Sequence, residues 1–168
     1  MNKDKKQIYY FERYYLSKKI LKWQDFFNII ASFLAKNCYY YKLNIYSPKK
    51  EFKNLRDLFG IFPRDQVGKE DILHKITKLI EQVSDENFQS GFEFHLYDFS
   101  DFNRDNWKLQ MSDFLTEIYI NCTNTEFLRF KQYLEKNNLP ADLFYPEKEH
   151  ICIPARFGEN CFSPKEYE

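Results

Sequence analysis

Glycine and proline are scarce, with four Gly and six Pro in 168 residues. That excludes collagen-like, mucin-like and Gly/Pro-rich linker chains. A surplus of one charge is also missing, because 25 Lys+Arg stand against 25 Asp+Glu. A chain that is 43% hydrophobic with no net charge is not a disordered polyelectrolyte. Its sequence pI near 6.8 is low for a dedicated nucleic-acid binder. Long hydrophobic runs are absent as well. The longest, Phe26 to Ala35, is broken by Asn28 and Ser32, and a membrane span takes about 20 apolar residues. The basic start MNKDKKQIYY runs into Tyr9, Tyr10, Glu12 and Arg13 rather than an apolar stretch, so it does not read as a secretory signal. The expectation is a protein that does not enter a membrane and resides in the cytoplasm.

Four cysteines stand at 38, 122, 152 and 161, with no CxxC pair. In a reducing compartment the default is buried free thiols. His150 lies close in sequence to Cys152 and Cys161. A structural zinc site takes four ligands, usually in paired short spacings, so no metal or cofactor is expected.

The glycines at 60, 68, 91 and 158 are isolated, which removes the phosphate-cradling loops of P-loop and dinucleotide-binding proteins. GxSxG, HExxH and kinase signatures are missing too. Asp101, Asn103 and Asp105 match the first positions of a calcium loop, but Ser112 stands where a bidentate Glu is needed. That segment reads as a polar turn.

Aromatic residues, in contrast, make up 20% of the chain. Residues 8–15 read as a first strand rich in β-favouring rings. Ile20, Trp23, Phe27, Ile30 and Phe33/Leu34 form one stripe on a helix. A strand follows at 39–46. Pro48 opens a short helix that Gly60 ends, and 61–68 read as a loop. Ile72, Leu73, Ile76, Leu79, Ile80 and Val83 predict a helix over about 69–83. Residues 91–98 alternate, with Phe92, Phe94 and Leu96 inward and Glu93, His95 and Tyr97 outward. Residues 114–122 repeat the pattern, with Glu117, Tyr119 and Asn121 outward. Asn124 or Thr125 is expected to cap a helix to about 137 that buries Phe127, Phe130 and Leu134. Short extended pieces at 142–145 and 150–153 precede an irregular tail from about 154. The reading is one α+β domain over 1–168, a mostly antiparallel sheet of about five strands with helices packed on one face.

The neutral total hides segregation. Residues 1–22 carry seven basic and two acidic side chains, a net +5. Residues 81–117 carry two basic and nine acidic, a net −7, and residues 142–168 three basic and six acidic, a net −3. A one-signed region steers an oppositely charged partner. Tyr97, Phe99, Phe102 and Trp107 lie within the acidic stretch, and rings among acids suit a protein interface. Two other readings stand beside this one. His95 with Glu93 or Glu117 offers acid–base chemistry. The basic, Tyr-rich N-terminus offers stacking and phosphate contacts for a single-stranded nucleic acid.

A small, motif-free α+β chain rich in Tyr, Phe, Asn and Lys with an acidic aromatic stretch resembles bacterial immunity proteins of polymorphic-toxin and contact-dependent growth inhibition systems. The resemblance is one of type over the whole chain, without an aligned motif. It implies a tight complex with one cognate toxin, and no catalysis. The interface expected on this reading takes Glu93, Asp98, Asp101, Asp105 and Glu117 for charge and Tyr97, Trp107 and Tyr119 as anchors. A nuclease toxin, which must present basic residues to phosphates, would offer the matching surface.

Overall fold

A computed structural model describes residues 4–36, 38, 40–45, 60–63, 73–74, 77–78, 92–97, 107–111 and 118–168. The chain is α+β, and it divides into two compact units: Met1–Leu21 with Tyr119–Glu168, and Lys22–Ile118.

In the second unit the helical stripe forms as expected from Trp23 to Ala35, but its middle, Phe26–Ala31, is wound as a π-helix. The Ser32 hydroxyl donates to the Phe27 carbonyl, five residues back, at 2.8 Å. The wider turn changes which side chains share a face. Phe26 and Ala31 join Phe27 and Ile30 at zero exposure. Ile20, expected in the stripe, lies before the helix and is exposed. Of the helix expected over 69–83, Leu73, His74, Thr77 and Lys78 are described and helical, and Thr77 donates to Asn28 Oδ1 at 3.1 Å.

The strands β2 (Tyr40–Ile45), β3 (Gly60–Pro63), β4 (Phe92–Tyr97) and β5 (Trp107–Met111) follow. They pair in the order β3-β2-β4-β5, all antiparallel. Gly60 opens a strand, and the short helix expected before it lies outside the described residues. Residues 61–63, the described part of the loop expected over 61–68, are strand paired to β2, because pairing with a neighbour supplies what their own composition does not. β5 was not legible as a strand. Phe94 meets Phe27 at 5.8 Å and Tyr41 at 6.2 Å, which joins this sheet to the helix.

The first unit is built on β1 (Lys6–Phe11), flanked by β6 (Ile118–Thr123) and β7 (Phe144–Pro146), again antiparallel. The strand expected to reach residue 15 stops at Phe11, and Tyr14–Ser17 is a helical turn. Alternation places Tyr9 and Phe11 on one face. Tyr9 stacks on Phe127 at 3.7 Å, and Phe144 meets Phe11 at 5.2 Å and Phe130 at 5.5 Å. The helix Asn124–Lys136 thus covers this face with Phe127, Phe130 and Leu134. Its cap is Thr123, one residue before the expected pair, in a full capping box with Glu126. Such a cap contributes about 1 kcal/mol.

The tail from 154 is not irregular. Strands β8 (Ile151–Ala155) and β9 (Gly158–Phe162) form a hairpin closed by a Cys152–Cys161 disulfide. This overturns the expectation of free thiols at those two positions: the register sets them directly opposite each other, an arrangement their spacing alone does not announce. Cys38 and Cys122 remain thiols and are buried. Gly158 at φ +106° supplies the left-handed residue of the turn. A final helical turn, Pro164–Tyr167, starts with Pro at its first position and a second capping box, Ser163 with Glu166. No helix among the described residues is long and apolar enough to cross a membrane.

Candidate functional site

The residues expected to form an acidic landing surface part company. Asp98, Asp101, Asp105 and Glu117, with the calcium-loop-like segment, lie outside the described residues. Of the anchors, Tyr97 is 1% exposed and Tyr119 is 3% exposed, so neither ring is available to a partner. Both faces of β4, which carries Tyr97, and of β6, which carries Tyr119, are covered. Trp107 and Glu93 are half-buried.

What the structure assembles instead, in the second unit, is a polar cluster under an aromatic roof. His95 is buried. Its Nδ1 lies 3.1 Å from the Tyr97 hydroxyl. Its Nε2 lies 2.6 Å from Glu93 Oε1. Trp107 reaches this face through a bulge in β5. Leu96 pairs with Leu109, but Tyr97 pairs with Trp107, so Lys108 is the extra residue. The indole then sits 4.7 Å from the His95 ring and 5.4 Å from Tyr97, edge to face with the phenol. Burial, aided by Lys42, pulls the His95 pKa down to about 4 against the opposing pull of Glu93. Burial, with Glu93 adding to it, pushes Tyr97 up to about 12. Both side chains are therefore neutral near pH 7. A general acid–base residue must reach the proton it moves, and His95 is 1% exposed. The cluster is a buried polar network in which His95 Nδ1 is bonded to Tyr97, while Nε2 has no hydrogen-bond partner among the described residues. His95 and Glu93 were legible as neighbours from their spacing, whereas the bulge that recruits Trp107 carries no sequence signal.

The first unit holds a second constellation that sequence reading passed over. Glu12 is 2% exposed. Its carboxylate accepts from the Ser163 hydroxyl, from the Tyr14 amide at 3.2 Å and from the Lys165 amide at 3.3 Å. Arg13 donates to Glu166 at 3.0 Å and to the Cys161 carbonyl at 3.3 Å. Tyr15 donates to Asp142, which also pairs with Lys165 at 3.0 Å. Burial pushes Glu166 upward, but the Ser163 amide and Arg13 outweigh it and hold the carboxyl below its ordinary range. Asp142 is likewise lowered, with the Tyr15 and Lys165 hydrogen bonds outweighing burial. These contacts clasp the last helical turn to residues 12–15. Above the clasp, the hairpin ends in Arg156 and Phe157. Phe157 is 91% exposed, with the guanidinium 5.4 Å from its ring centroid.

Three tyrosines, Tyr119, Tyr10 and Tyr145, stand in register across β6, β1 and β7. His150 closes this row, stacked 4.4 Å from Tyr10, with its Nδ1 2.8 Å from the Tyr145 hydroxyl. No family model, curated protein or solved structure matches the chain.

Proposed function

We propose that this chain is a non-catalytic binding protein that neutralises a cognate toxin by covering a cationic surface, a nuclease being the toxin class whose surface suits it. The observation that carries the reading is Phe157. Its ring is left 91% exposed at the tip of a covalently closed hairpin, where a partner could bury it. It lies in a segment of net charge −3, where Glu147, Glu149 and Glu159 are exposed. An exposed aromatic residue in a segment of net negative charge is chemistry that suits a basic protein face. Covering such a face keeps phosphate from it. Tyr97 and Tyr119 are withdrawn as anchors because they are buried. Asp98, Asp101 and Asp105 remain as a charge source that would speed encounter. The enclosed, neutral His95 supports the non-catalytic part of the reading.

The test is association with a candidate basic nuclease toxin domain, measured by surface immobilisation at low and high salt. Phe157→Asp is expected to speed dissociation, by about tenfold or more. Reversal of Asp98, Asp101 and Asp105 to Lys is expected to slow association, most strongly at low salt. Full protection by both variants with unchanged kinetics would remove the proposed interface.

A further inference from the structure

The disulfide and His150 together form a feature that the binding role does not use. One ring nitrogen of His150 and the Sγ atoms of Cys152 and Cys161 all lie within 4.8 Å of one another. The strand register faces the two cysteines across the hairpin with Cα atoms 4.1 Å apart. The imidazole is held in place. It stacks on Tyr10, is near-parallel to Tyr145, and bonds the Tyr145 hydroxyl through Nδ1. A ring fixed by a second hydrogen bond is how proteins orient a metal-binding histidine. Cys152 is exposed and Cys161 and His150 are half-buried, so solvent, reductant and cation all have access.

We propose that this is a redox-gated metal site: when the disulfide is reduced, Cys152, Cys161 and His150 bind one soft divalent cation of the zinc type. A dithiol reductant gives two electrons and two protons to the disulfide, which yields two thiols and leaves the reductant as its own cyclic disulfide. Binding of the cation then displaces the two thiol protons and forms two metal–thiolate bonds and one metal–imidazole bond. Tetrahedral geometry with metal–sulfur bonds of about 2.3 Å places the sulfurs about 3.8 Å apart. Rotation about the two Cys side chains supplies that separation without moving the paired strands. The fourth position goes to water. The oxidised and metal-bound states both tie β8 to β9, so the hairpin is closed in an oxidising environment by a covalent bond and in a reducing one by the cation. Intracellular disulfides are most often of this reversible kind.

The experiment uses the full chain, reduced by a dithiol, freed of it under anaerobic conditions and titrated with Co²⁺. One equivalent is expected to give thiolate-to-cobalt charge transfer and the visible bands of a tetrahedral ion, both lost when Zn²⁺ is added. The oxidised chain is expected to give neither. Cys152→Ser or Cys161→Ser is expected to abolish the signal. His150→Ala is expected to weaken binding at least about tenfold. Cys38→Ala/Cys122→Ala, which leaves the hairpin intact, is expected to retain it. The proposal is overturned by no spectrum in the reduced chain, by the same spectrum in the oxidised chain, by its survival in Cys152→Ser/Cys161→Ser, by its loss in Cys38→Ala/Cys122→Ala, or by unchanged affinity in His150→Ala. None of these readouts involves toxin binding, so the site and the function above stand or fall separately.

Discussion

The Ser163 hydroxyl donates to the buried carboxylate of Glu12, 151 residues away in sequence. The same hydroxyl accepts from the Glu166 amide as the cap of the last helical turn. One oxygen therefore closes both a local cap and a contact between the two ends of the chain. Ser163→Ala removes both and leaves the Glu12 carboxylate short of a donor in a buried site. The expected loss is about 2 kcal/mol, read as a lower urea midpoint. Ser163→Thr, which keeps the hydroxyl, should recover most of it.

Acid should destabilise the protein in two steps. His95 has a folded pKa of about 4 against an ordinary value of 6.5. Between those values the unfolded chain binds the extra proton, so stability is full above about pH 6.5 and falls as pH drops toward 4. The shift corresponds to at most about 3 kcal/mol. Glu166 and Asp142 have lowered folded pKa values. Their contribution is present above their unfolded values of 4.5 and 3.8 and is lost as pH falls through the lower folded ones. Denaturant midpoints from pH 7 to 3 should show both declines. His95→Gln should flatten the upper one alone, and an unchanged upper decline in that variant would refute the assignment.

Tyr97→Phe removes the hydroxyl beside His95 Nδ1 while keeping the ring against Trp107. The orphaned nitrogen is buried, so the expected cost is about 1–2 kcal/mol. Trp107 fluorescence should change little, because the indole keeps its neighbours. A large spectral change would mean that the phenol positions the bulge as well.

Reduction of Cys152–Cys161 should lower stability by up to about 2.5 kcal/mol, from the loop-closure entropy of a crosslink spanning nine residues. Amide exchange should quicken first in Ile151–Phe162, since the helix Asn124–Lys136 does not depend on that bond for its packing. Added Zn²⁺ should restore the protection if the site proposed above forms.

Phe157→Asp should leave the thermal midpoint within experimental error, because a 91% exposed ring contributes almost no burial. A marked destabilisation would show that the ring has an intramolecular role instead.

Sequence alone determined the elements whose periodicity is local. The stripe through Phe27, Ile30 and Leu34, the helix that buries Phe127, Phe130 and Leu134, and the inward set Phe94 and Leu96 all follow from side-chain spacing, and with them the α+β class. Tertiary structure decided what depends on distant partners. The burial of Tyr97 and Tyr119 comes from cover on the second face of their strands, which alternation does not reveal. The bulge at Lys108 turns Trp107 onto His95. Strand register faces Cys152 with Cys161 and brings the tail's Ser163 back to Glu12. Periodicity is a property of neighbours along the chain, whereas register and cover are free energies shared with residues far from them in sequence.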